Sequence, residues 1–194
     1  MRKALLTFSI LTVLGVATSC QSMLKGMLGI KEEQALSDSQ VYTYAKQQGW
    51  QTLELRRVDS VAYAALRHEI YKPGWPMGFR PLQFLVYSPQ GKLVAQYASC
   101  EGRLTDQNLA VFPPTGLQLP DTTRRLAQLL HSCHPIGPAV APSSGEYIMA
   151  VYWISWMGRQ STQLVERMRQ YAAAHPEQKI RVVLVNADYY RGMM

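Results

Sequence analysis

The sequence lacks most of the patterns that would decide its chemistry at once. It has only three cysteines, and no two of them stand in a CxxC pair. No HxxxH spacing is present, which weakens a metal site. No Gly-rich phosphate loop, Ser/His/Asp order or paired-carboxylate motif stands out, so nucleotide handling and hydrolysis are not indicated. His68, Glu69 and Asp59 are too isolated to argue otherwise. Charged residues make up only 17%, yet the 47% apolar content is too high for a disordered chain. No cofactor is implied.

What is present begins at the N-terminus. Arg2 and Lys3 form a positive start, and Ala4 to Ala17 is an uncharged, apolar run of 14 residues. That falls short of the about 20 residues a membrane-spanning helix needs. Ala17-Thr18-Ser19 then leads into Cys20. Positive start, apolar centre and small residues are the three parts of a secretory signal peptide. The junction resembles the lipobox of bacterial lipoproteins, where a small residue before the cysteine permits cleavage and the thiol takes diacylglycerol. The usual pattern has Leu or Val three residues before the cysteine, where this chain has Ala17. The resemblance implies a signal peptide over 1–19, lipid on Cys20 and attachment to a membrane in the cell envelope.

Removal of 19 residues from 194 leaves 175, enough for one domain with a core of its own. The net charge falls from +7 to +5 as Arg2 and Lys3 leave. A modest basic excess suits anionic envelope components. It does not indicate nucleic acid, which export also argues against. With Cys20 acylated, Cys100 and Cys133 remain, and an even pair outside the cytoplasm reads first as a disulfide. His131 and His134 lie near Cys133, but His131 and Cys133 are two apart and point to different helix faces. They read as bystanders to a structural bond, with no metal expected. The methionines are scattered, which suits packing better than soft-metal binding.

Residues 20–37 read as a tether with no settled period, and 38–194 as a single domain with an N-terminal extension over 38–80. Asp38 or Ser39 caps a helix through Gln48, stopped by Gly49. Residues 51–58 suit a strand, and 60–70 are ambiguous. Lys72 to Pro81 holds three prolines and two glycines and reads as loop. Leu82–Tyr87 and Lys92–Ala98 flank Ser88-Pro89-Gln90-Gly91, a hairpin pattern. Residues 101–120 are irregular. Leu126, Leu129, Leu130 and Cys133 follow helical spacing after Asp121. Arg56-Arg57 and Arg124-Arg125 read as solvated faces. Near the C-terminus come an apolar strand over 146–154, a helix over 160–174 and an apolar strand over 180–185. Continuous apolar strands separated by a helix point to a parallel βαβ unit.

At this unit the chain resembles the thioredoxin-like family. Val151-Tyr152-Trp153-Ile154-Ser155-Trp156-Met157-Gly158-Arg159-Gln160 is similar to that family's hydrophobic strand ending in aromatic residues, Trp, Cys-Gly-x-Cys. The likeness covers about 45 residues. It implies an α/β fold: a thioredoxin-like sheet with a parallel βαβ unit (147–186) and a β-hairpin plus helix (82–133). The resemblance implies a circularly permuted order, since the family runs βαβ first; the alternative is that the hairpin belongs to an unrelated α+β sheet. In the permuted order Pro81, just before the hairpin, is the counterpart of the family's cis-proline.

The departure decides the chemistry. The family's two cysteines are replaced by Met157 and Gln160. A thioether and an amide cannot supply the thiolate that disulfide exchange requires. The expected role is therefore binding or structural, not enzymatic, with Trp156, Met157, Gly158, Arg159 and Pro81 as binding candidates. The partner would be an envelope protein or peptide. The alternative is a thiol-disulfide oxidoreductase that uses Cys100 and Cys133. If the leader reading is right, Cys20→Ala releases the protein from membranes or blocks its processing. Fractionation of membranes checks this, and an unchanged mature size with full membrane retention contradicts it.

Overall fold

Tyr147–Trp153 (β5) has the sequence YIMAVYW, with every residue after the tyrosine buried. A strand apolar on both faces must be covered on both sides and flanked by other strands. The computed structural model describes residues 29–32, 34–64, 82–98, 104–115, 117, 125–138 and 145–188. In it β5 lies inside a six-stranded mixed sheet. The other strands are Glu54–Val58 (β1), Gln83–Tyr87 (β2), Leu93–Ala98 (β3), Cys133–Pro135 (β4) and Ile180–Asn186 (β6). Their order across the sheet is β3-β2-β5-β6-β1-β4. β5 is parallel to β6 and antiparallel to β2, so the βαβ unit and the hairpin share one sheet. β1 adds to β6 in parallel, and β4 closes that edge antiparallel to β1.

Gly158–Ala174 is the crossover helix between β5 and β6. Numbered in chain order, the α-helices of six residues or more among the described residues are Asp38–Gln47 (α1), Leu126–His131 (α2) and Gly158–Ala174 (α3). In α3, Leu164, Val165, Met168 and Tyr171 are buried. Their spacing of one, three and three keeps them on one face, which covers the sheet. Ser37 caps α1 by accepting from the Gln40 backbone N–H at 3.3 Å, and the Gln40 side chain accepts from Ser37 N–H at 2.8 Å. The cap thus sits one residue before the expected Asp38. Gly49, at φ +76, ends the helix in a conformation that favours glycine. The hairpin turn works the same way at Gly91, φ +72, with Ser88 N–H donating to Lys92 O at 2.8 Å.

Two expectations are corrected. Asp121, the expected cap, lies outside the described residues; the helix is described over Leu126–His131 with Arg125 at its cap, and Cys133 begins β4 rather than continuing a helical face. The competing pull is the edge of β1. Val58 pairs with Cys133, and Asp59 N–H donates to Ser132 O at 2.9 Å. Arg57, read as solvated, is fully buried. Residues 60–64 are helical, and 65–70 lie outside the described residues, as does the 99–103 stretch. Leu184 is wholly buried at the middle of β6, whereas Leu130 is 38% exposed. Leu184→Ala should lower the unfolding free energy by about 2–5 kcal/mol. Leu130→Ala should stay within about 0.5 kcal/mol. Urea denaturation of both variants checks the contrast.

Candidate binding crevice

β5 leaves the sheet at Ile154 and enters a 3₁₀ turn, Ser155–Met157, before α3 begins at Gly158. Ser161 locks this exit. Its hydroxyl donates to Ile154 O at 2.7 Å and accepts from Ile154 N–H at 3.1 Å. Ser155 N–H in turn points at Asp188, whose two carboxylate oxygens lie 2.9 and 3.0 Å away. Asp188 is 1% exposed and also accepts from Asn186 Nδ2 at 2.8 Å. Burial pushes its carboxyl pKa up, and the hydrogen bonds from Asn186 and Ser155 only partly offset that.

Beneath the turn lies a polar chain that runs across the sheet. Arg57 donates to Asp38 Oδ1 at 2.8 Å and to Leu36 O at 2.9 Å, and its Nη2 reaches Asp188 O at 3.5 Å. His134, expected as a bystander, bridges Asp38 and Asp59 with its two ring nitrogens. Among the described residues no group of three or more His, Cys, Asp or Glu side chains is arranged to hold a metal ion.

A cavity of about 460 Å³ opens beside the turn, lined among others by Gln34, Leu36, Tyr44, Gln47, Ser155 and Trp156. Tyr44 is positioned by an aromatic cluster. It stacks on the buried Trp153 with ring centroids 5.5 Å apart, and Trp153 meets Trp50 edge-on at 5.1 Å. Trp156 is half-buried and packs against the core while still lining the cavity. The segment expected to be a plain tether takes part as well. Lys31 N–H donates to Trp156 O at 2.8 Å, and a Cβ on Gly29 would lie 3.6 Å from Arg159 Cβ.

Of the candidates read from sequence, Trp156 and Met157 lie on the turn and Gly158 and Arg159 open α3, and of these four Trp156 lines the cavity. Met157 and Gly158 are half-buried, and Arg159 is exposed. Pro81, Cys20 and Cys100 lie outside the described residues. Cys133, 3% exposed in β4, is bonded to no other cysteine among the described residues. Burial pushes its pKa up to about 11. Sequence reasoning missed Arg57, Asp188, Asp38, Asp59 and His134. The one local signal was Asn186-Ala187-Asp188, polar residues that end an apolar strand. Comparison with family models, curated proteins and solved structures finds no match to this chain.

Gly158 has a geometric reason to be glycine. A Cβ there would come within 2.8 Å of the Tyr44 hydroxyl. Gly158→Ala should destabilise by about 1–3 kcal/mol. In a Tyr44→Phe background, which removes the hydroxyl, the cost should shrink by at least about 0.5 kcal/mol. A double-mutant cycle in denaturant reads that coupling, and strict additivity would contradict it.

Proposed function

We propose that the chain is a lipid-anchored envelope protein whose domain is thioredoxin-like in permuted order and binds a protein or peptide without redox exchange. The observation that carries the reading is the crevice at the carboxyl end of β5. Open α/β sheets leave ligand crevices at the carboxyl ends of their strands. Here one of about 460 Å³ lies against the turn that bears Trp156. The permuted reading requires the βαβ pair and the hairpin to share a sheet, and β2 lies directly beside β5. Met157 and Gln160 at the two cysteine positions support a binding role. The anchor on Cys20 and the envelope location rest on the leader pattern alone.

The oxidoreductase alternative needs an ionised, accessible thiolate. Burial of Cys133 and a pKa near 11 weigh against it. A structural bond between Cys100 and Cys133 stays part of the proposal. It would close about 33 residues and stabilise by roughly 3–4 kcal/mol. In denaturant without reductant, a bonded pair takes up no alkylating reagent, and glutathione does not open it in the folded protein. Rapid exchange with glutathione would instead favour the oxidoreductase.

The binding reading is tested in native envelopes. Trp156→Ala should reduce crosslinking to the partner several-fold while thermal unfolding stays cooperative. Insulin reduction by the purified chain should be absent with or without Met157→Ala. If Trp156→Ala unfolds the domain with no selective loss of crosslinking, Trp156 is a core residue and the reading fails.

A further inference from the structure

Both ring nitrogens of His134 face carboxylates. Nδ1 lies 2.6 Å from Asp59 Oδ1, and Nε2 lies 3.0 Å from Asp38 Oδ2. A neutral imidazole has a single N–H. It can donate to one of these carboxylates, and its other nitrogen would then set a lone pair against an anion. Only the imidazolium makes both contacts as charge-assisted hydrogen bonds.

The geometry ties this histidine to the crevice. Asp38 is the first residue of α1, and Ser39, Gln40, Thr43, Tyr44 and Gln47 of that helix line the cavity. Asp59 follows β1, and His134 belongs to β4, so the ring joins the start of α1 to the sheet edge. Other charged groups near it among the described residues are already committed. Arg57, opposite His134 across the β1–β4 ladder, holds the second oxygen of Asp38. Arg56 pairs with Glu54 at 3.0 Å and donates to Cys133 O. Asp188 lies beyond Arg57 on the far side. Burial raises the Asp38 pKa, but hydrogen bonds from Arg57 and His134 outweigh it, so the net direction is down. Asp38 therefore stays an anion across the range in which histidines titrate.

We propose that His134 is a proton-operated clamp on α1: as imidazolium it ties Asp38 to Asp59 and holds the cavity wall, and on losing its proton it releases one carboxylate and loosens that wall. The consequence for ligand capture rests on the crevice being the binding site. The wall is firm while the ring keeps its proton and slackens once rising pH removes it.

Hydrogen exchange on the full chain, purified from membranes in detergent, tests the clamp. Protection of the α1 amides over 41–45 is compared at about pH 5.5 and about pH 8, corrected for intrinsic exchange. It should fall roughly tenfold at the higher pH, the size of one charge-assisted hydrogen bond. Equal protection at both values overturns the proposal. His134→Gln should abolish the step. Asp59→Asn is the second variant, because its amide can donate to Nδ1 while Nε2–H donates to Asp38. A neutral ring then keeps both contacts, and protection should be high at both pH values even if His134→Gln fails to fold. A step that persists in Asp59→Asn assigns the titration elsewhere and overturns the clamp. Partner crosslinking is read at the same two pH values. If wild-type protection steps while crosslinking does not, the clamp stands and the crevice is not the binding site.

Discussion

The charge of Arg57 sets the terms for much of this molecule. A guanidinium with no exposed surface costs several kcal/mol unless its hydrogen bonds are met. The groups that meet them come from two distant places: the start of α1, through Asp38 and the Leu36 carbonyl just before it, and the Asp188 carbonyl after β6. Each is thereby fixed relative to β1. Asp188 then uses its side chain to hold Ser155, the first residue of the turn. One buried cation thus orders both walls of the crevice, α1 on one side and the strand-to-helix turn on the other.

The aromatic cluster completes that arrangement from the apolar side. Trp50 and Trp153 are fully buried, and Tyr44 lies over them at the edge of the cavity. Offset and edge-on ring contacts of this kind favour fixed geometry beyond the area they bury. Gly158 is what lets α3 begin so close to the Tyr44 hydroxyl. The crevice is accordingly bounded by rings and helix ends that pack against the core.

The parts legible in the sequence are those whose burial is local and continuous. β2, β5 and β6 are runs of apolar residues, and the buried positions of α3 repeat at helical spacing. Their pairing follows from the hairpin turn and the crossover helix. The strand exit that carries Trp156 to Arg159 is legible for the same reason, because it directly follows the apolar run of β5. The polar chain was not legible, because its members are far apart in sequence. Arg57 and Asp188 are 131 residues apart, and Asp38 and His134 are 96. An arginine that alternates with apolar residues reads as solvent-facing until its partners are known. Cys133 misled for a related reason. Its spacing continues the helical pattern of Leu126 and Leu129, but pairing with β1 decides its conformation.

The chain N-terminal to the sheet touches the turn first. Lys31 meets Trp156 through one backbone hydrogen bond, whereas β5 and β6 are joined along seven residue pairs. Mechanically the two ends of the crevice differ. Tension drawn through residues 29–31 reaches a single bond before it reaches a ladder, so the turn is the compliant element and the sheet the stiff one. Any load carried by the leading segment is felt at Trp156 while the strands behind it keep their register.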